Sequence, residues 1–398
     1  MKFSSIVFLS LVSCASFKSP QKQTLWLETP SGIALTRSLE AVPAKLDKKP
    51  WQWRDKNAIG AAPQSFARLT FVDDERVLIP TLGGGLSFVD LRTNSRIWEK
   101  EYPVGVASDV FLLETSVVVA TMDSVVQKIK LSDGSLEWSS KISAESTGGV
   151  SGTEQMLYVT AADNSLWSLD AKTGRALWTY KRPNTGSGVL WSLRGAATPV
   201  LSPDKKVLYA GFSDGTFVAL KAETGDTIWE RSFERPGRFK DCDTTPVLSR
   251  DGKKIFLTVV DSELQALNSS NGQTLWNLPL ASHYSPLVNE EEGVLYYSTN
   301  DNKFRKVSLQ SGNILWVMDL GDKGVASTPV VLDQKYLAVT TTRFGLLVID
   351  KDSASIVHTN YLGQGILAPP AFRNARLLLL SPKNDLMIFR WLGSSKGS

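Results

Sequence analysis

Short apolar runs alternate with polar turns along most of this chain, and the runs come in pairs. One pair is Val207-Leu208-Tyr209-Ala210-Gly211 and Thr216-Phe217-Val218-Ala219-Leu220, separated by Ser213-Asp214-Gly215. A second turn, Glu223-Thr224-Gly225, leads into Asp226-Thr227-Ile228-Trp229. Alternating apolar runs broken by Asp-Gly or Thr-Gly predict β-hairpins, because glycine accepts the positive φ such turns need. The phrase ending in Trp returns at Trp98, Trp138, Trp178, Trp229, Trp276 and Trp316, in steps of 40, 40, 51, 47 and 40 residues. A period in that range marks an array of similar units. Upstream of the units stand Thr198-Pro199-Val200, Thr245-Pro246-Val247, Ser285-Pro286-Leu287 and Thr328-Pro329-Val330. Each unit therefore holds four short strands. That predicts an all-β fold, a propeller of four-stranded blades rather than a helical solenoid.

Two irregular members complete the count. In the seventh unit, 336–358, His358 stands where the Trp is expected. The eighth begins at Pro370, has strands at 377–380 and 386–391, and lacks its last strand. Trp53 lies 10 residues before Pro63, the gap that separates Trp276 from Pro286. On that spacing, residues 50–54 (Pro50 to Arg54) supply the missing strand. The expectation is an eight-bladed β-propeller closed by an N-terminal strand, with no free sheet edge. The recurring Trp residues are read as packing between blades, not as a cofactor box.

The N-terminus changes the picture. Lys2 precedes an apolar stretch interrupted by serines and ending in Leu11-Val12-Ser13-Cys14, which reads as a signal peptide. Its end resembles a bacterial lipobox, which would make Cys14 the lipidated first residue; Ala15 after it implies sorting to the outer membrane. Residues 15–49 read as a linker, whose roughly 35 flexible residues reach about 30–35 Å root-mean-square. Within it, Leu25-Trp26-Leu27 either docks on a neighbour or packs on the propeller. The chain divides into a signal peptide (1–13), a lipidated Cys14 with its tether (14–49), the propeller (50–393) and a disordered tail (394–398). A net charge of +4 over 398 residues does not argue for nucleic acid. Cys242 is the only other cysteine, so no internal disulfide supports the fold, and the residue reads as a small buried loop position.

Signs of chemistry are few. His283 and His358 are the only histidines, and neither suggests a triad or a zinc cluster. Gly83-Gly84-Gly85 occupies a hairpin turn, not a phosphate cradle. The carboxylates sit mostly in turns, where they bond their own backbone. The phrase Asp170-Ala171-Lys172-Thr173-Gly174 with Leu177-Trp178 resembles the repeat of the pyrroloquinoline-quinone-dependent alcohol dehydrogenases. Those enzymes imply an adjacent cysteine pair and an acidic calcium site, and they are considerably longer. This chain has no adjacent cysteines, so no cofactor, metal or catalytic residue is expected.

Two connectors exceed the repeat rhythm, 179–197 and 230–244, and both join the last strand of one blade to the first of the next. They must emerge side by side on one face, and propellers carry function on such loops. The first contains Trp191-Ser192-Leu193-Arg194-Gly195, the second Asp241-Cys242-Asp243-Thr244-Thr245-Pro246-Val247. Together with the lipobox, the tether and the blades, these phrases resemble the BamB family, the propeller lipoproteins of the outer-membrane β-barrel assembly machinery. The resemblance covers essentially the whole mature chain. It departs from the family at Trp191, where the family has Leu, and at Cys242 between the two aspartates. It implies a non-enzymatic, lipid-anchored protein at the periplasmic side of the outer membrane. Its partner would be the barrel subunit BamA, with strand edges suited to nascent barrel segments. Carried over residue by residue, it nominates Trp191, Leu193, Arg194, Asp241 and Asp243 as partner-binding. An aromatic and a Leu beside an Arg is hot-spot composition. Asp241 or Asp243 is expected to hold the planar Arg194 guanidinium in place, leaving Trp191 and Leu193 for the partner. The plainer reading is that these charges only tie two loops together.

Overall fold

Eight antiparallel sheets of four strands each make the fold in a computed structural model. The model describes the strand Glu40–Val42 and most of residues 67–391; residues 1–39, 43–66, 183–196, 234–241, 243, 392–398 and a few short turns fall outside it. Blade 4 shows the build. Its strands are Val200–Leu201, Val207–Gly211, Thr216–Lys221 and Thr227–Ser232, paired in that order from the inside of the ring outward. The second and third strands are buried along nearly their whole length, because neighbouring blades cover both of their faces. The outer strand alternates exposed and half-buried positions, as a rim strand must. Among the described residues the only helical element is one 3-10 turn, Gly321–Lys323.

The tryptophans have the architectural role expected of them. In six successive blades the Trp lies on the outer strand, and its indole N–H donates to a backbone carbonyl of the following blade. The pairs are Trp98 to Leu131 (2.8 Å), Trp138 to Ala171 (3.1 Å) and Trp178 to Ala222 (3.1 Å). Trp229 to Ser269 (2.9 Å), Trp276 to Leu309 (3.1 Å) and Trp316 to Lys351 (3.0 Å) continue the series. Each Trp follows an extra residue in its strand. The register shifts between Phe88 and Val89, Lys128 and Ile129, Ser168 and Leu169, and at the matching place in the next blades. A bulge bends and twists the strand locally, and here it turns the indole toward the next blade. The ring then lies over the following hairpin turn. A Cβ on Gly174, whose φ is +73°, would sit 2.5 Å from Trp138 Cε3, so that turn has no room for a side chain.

Two expectations are corrected. The strand that completes blade 8 is Glu40–Val42, which pairs with Leu386–Arg390; residues 50–54 lie outside the described residues. The reason is a wrong reference point. In blade 1 the residue just before the inner strand Thr70–Phe71 is Leu69, at the place that proline holds in blades 4 to 8, so Pro63 does not mark that strand. The register Ile388↔Val42 puts Val42 where other blades carry Trp. Closure also does not abolish edges: each outer strand is bonded on one side only, leaving its other edge at the rim.

Candidate functional site

Strand direction fixes the two faces of the ring. One face carries the connections from an outer strand to the next inner strand, together with the turns between second and third strands. Both inserts belong to it: the chain leaves at Arg182 and returns at Ala197, then leaves at Phe233 and returns at Cys242. The chain also leaves Glu40–Val42 toward this face and returns at Ala67.

The roots of the two inserts are braced against each other through blade 4. Arg182, at the end of the outer strand of blade 3, donates from Nε to Asp214 Oδ2 at 2.8 Å and also bonds Glu230. Its side chain and that of Asp214 are only 16% and 14% exposed, so this fork is shielded enough to matter. Burial works against the charge, yet bonds to Tyr180, Asp214 and Glu230 hold the guanidinium protonated above its ordinary range. Tyr180 adds a hydroxyl bond to Glu230 (3.3 Å) and packs on Phe212, ring centroids 5.8 Å apart. The neighbouring turn is fixed as well, since Asn164 Oδ1 accepts from Ser213 N (3.1 Å) and Ser213 Oγ (2.8 Å).

The second insert leaves beside this cluster. Phe233 N donates to Gly215 O at 2.9 Å, and the Arg231 guanidinium lies 4.8 Å from the Phe233 ring centroid while bonding Gly272 O. Where the insert returns, Cys242 is fully buried with Tyr209, Phe217 and Leu257, and its N donates to Phe212 O at 3.1 Å. The fit is close: a Cβ on Gly211 would lie 2.2 Å from Cys242 O. The first insert returns through Ala197, whose carbonyl accepts from Thr160 Oγ1 at 2.7 Å, and Thr198, which accepts from Gly149 N.

Trp191, Leu193, Arg194, Asp241 and Asp243 all lie outside the described residues, as do Cys14 and Trp26. The structure supplies the frame around the five candidate binding residues: two segments rooted on either side of blade 4, on one face. Cys242 between the two aspartates is the buried loop residue expected of it. The sequence reading missed Arg182, Asp214 and Glu230. Their one signal was a cation at the start of an insert, and an isolated cation is common.

Cys242 is enclosed by core side chains, the chain's other cysteine is Cys14, and no group of carboxylates, histidines or cysteines among the described residues could hold a metal ion. His358 is buried in the Trp position of blade 7, paired in register with Val348, and burial depresses its pKa.

Comparison with known proteins agrees with this geometry. The family model described as outer membrane protein assembly factor BamB matches residues 37–153, 114–318 and 300–390. An outer membrane protein assembly factor BamB from Burkholderia pseudomallei is 26% identical over 166 residues, 41% of this chain and 41% of that protein. A quinoprotein ethanol dehydrogenase from Pseudomonas putida is 37% identical over 81 residues, 20% of this chain but 12% of the enzyme. The matches thus span well under two thirds of these relatives' lengths. Among solved structures, BamB from Moraxella catarrhalis superimposes with a TM-score of 0.70 at 18% identity, covering 83% of this chain and 98% of that one. That likeness establishes the eight-bladed fold, while the family model spans the chain from before the closing strand to the last blade. The chain belongs to the family of outer membrane protein assembly factor BamB.

Proposed function

We propose that this protein is a non-catalytic scaffold of outer-membrane β-barrel assembly. In this reading Cys14 carries a lipid anchor at the periplasmic side of the outer membrane. Trp191, Leu193 and Arg194, with Asp241 and Asp243, engage the periplasmic domains of a BamA-like barrel subunit. The observation that carries the reading is the braced pair of insert roots on one face, because rigid roots lower the entropy lost when loops order against a partner. The free outer edges of the blades suit nascent barrel strands, which would add by backbone pairing.

The test is a crosslinked pull-down from native outer membranes, with Trp191→Ala/Arg194→Ala as control. Enrichment of a large barrel protein with periplasmic repeat domains, lost in the control, is the expected result; a folded protein that enriches no such subunit sinks the reading. The identity to a quinoprotein dehydrogenase motivates one further assay, since it lies in shared repeats. Alcohol oxidation on adding pyrroloquinoline quinone and calcium would overturn the scaffold assignment.

A further inference from the structure

The face opposite the inserts carries an uneven charge that the proposed function does not use. Its hairpins join the inner strand to the second strand. In blade 4 the hairpin is Ser202-Pro203-Asp204-Lys205-Lys206, and in blade 5 it is Ser249-Arg250-Asp251-Gly252-Lys253-Lys254. No other blade repeats an Asp followed by two lysines here; blade 1 has Asp73-Asp74-Glu75 and blade 6 has Glu290-Glu291-Glu292.

The two dilysine hairpins are neighbours: a Cβ on Gly252 would lie 2.8 Å from Pro203 Cδ. Their aspartates are turned into the hairpins. Asp204 Oδ1 accepts from Ser202 Oγ (2.6 Å) and Lys206 N (3.2 Å), and Asp251 Oδ1 accepts from Ser249 Oγ (2.6 Å) and Lys253 N (3.0 Å). Lys205, Lys206 and Lys253 are exposed and Lys254 is half-buried; among the described residues, only Lys253 of these four approaches a carboxylate, Asp251 at 3.9 Å. Arg250 leans toward Glu291 of blade 6 (3.8 Å), and Lys221 of blade 4 leans toward Asp226 of the same blade (3.3 Å). The result is a cluster of four lysines on blades 4 and 5, with the acidic hairpin of blade 6 beside it.

Topology adds a second observation. Glu40 pairs with Arg390, and Arg390 pairs with Arg376, the first residue of the second strand of blade 8. The chain therefore enters Glu40–Val42 from the same face as the dilysine hairpins.

We propose that the dilysine hairpins of blades 4 and 5 form a docking surface for the anionic phospholipid headgroups of the membrane that the N-terminal segment reaches. A lipid anchor leaves a body free to swing, and a cationic patch on the face where the chain enters supplies a second contact that orients it. The roots of the inserts, on the opposite face of these blades, then lie on the side away from the bilayer. The proposal rests on the reading that the chain works at a membrane surface, and it is independent of which partner the inserts bind.

The test is flotation of the full chain, carrying Cys14→Ser throughout so that acylation does not dominate, with vesicles of phosphatidylcholine alone or containing phosphatidylglycerol. The expected preference for the anionic vesicles is on the order of tenfold and is lost at high salt. Lys206→Glu/Lys253→Glu removes that preference, and the milder Lys206→Gln/Lys253→Gln weakens it. Lys100→Glu/Lys141→Glu, with the same change in net charge elsewhere, leaves it intact. Equal binding to both vesicles overturns the proposal, as does equal loss in the Lys100/Lys141 pair. Pull-down of the barrel subunit is read in parallel. Its failure with vesicle preference intact removes the proposed partner, whereas lost vesicle preference with normal pull-down removes only the patch.

Discussion

Trp391 of blade 8 donates its indole N–H to Asp333 Oδ2 of blade 7 at 3.1 Å, the reverse of the six preceding junctions. Elsewhere the Trp of one blade reaches forward to the next. At this seam the Trp position holds His358, and the hairpin turn over which a Trp would lie does not exist, because the outer strand of blade 8 comes from the N-terminal side. Trp391 N bonds Ala375 O just as Leu131 N bonds Thr115 O, so Trp391 occupies the place whose carbonyl accepts the indole in other blades. Its own side chain turns back onto Tyr336, ring centroids 5.6 Å apart.

This seam is expected to be a weak point that Trp391 secures. Trp391→Ala should lower stability by about 3–5 kcal/mol through lost packing. Trp391→Phe, which keeps most of the ring but not the donor, should cost about 1–2 kcal/mol. Urea midpoints of the two variants check this, and a cost for Ala below that of Phe would refute it.

His358 gives the same seam a pH dependence. Burial depresses its pKa below 6.5, so the unfolded chain binds the proton more readily than the folded one. Above that value both states are neutral and the residue has no effect. Stability should fall as pH drops through 6.5 toward the folded value. Unfolding midpoints taken at pH 7.5 and 5.5 should differ less in His358→Phe than in the wild type. An unchanged difference would assign the pH response to other groups.

The turn glycines give a paired prediction. Gly174→Ala forces a Cβ against Trp138 at a φ of +73°, and should cost about 2–4 kcal/mol from crowding and backbone strain combined. Ala354, with φ +51°, already fills that turn position in blade 7. Ala354→Gly should therefore change stability by no more than about 1 kcal/mol, because relief of the left-handed strain opposes the added freedom of the unfolded chain. Thermal unfolding of both variants measures the contrast.

Arg182 should act on the inserts from their roots. Arg182→Met leaves Asp214 shielded and unpaired, at a cost on the order of 2–4 kcal/mol, and Arg182→Met/Asp214→Asn should recover part of it. Barrel-subunit pull-down should fall with Arg182→Met although the residue touches no partner. Full capture by a destabilised Arg182→Met would show that root rigidity is irrelevant.

The proposed clasp between the inserts has its own test. Arg194→Asp and Asp241→Arg should each reduce pull-down, and the double exchange should restore it if the aspartate only positions the arginine. No recovery would mean that Arg194 meets the partner directly.

Local pattern alone determined much of this protein. Alternating apolar runs, Gly-containing turns and a Trp at a fixed place in each unit dictated four-stranded blades, and the irregular units at His358 and Pro370 were legible as blades seven and eight. Burial follows from the continuous apolar runs, because a strand covered by neighbouring blades on both faces hides nearly every residue. The two inserts also stood out, as departures from a regular length.

What needed tertiary structure was every relationship between residues distant in the chain. Glu40–Val42, three residues with no Trp, closes the ring only because its register on Leu386–Arg390 fits, and no local spacing encodes that. The Arg182, Asp214 and Glu230 cluster joins two blades whose residues lie far apart in sequence. The reversed Trp391 bond and the two neighbouring dilysine hairpins likewise exist only once the blades are set side by side. Sequence fixes what each strand must bury; the closed ring decides which strands, turns and charges meet.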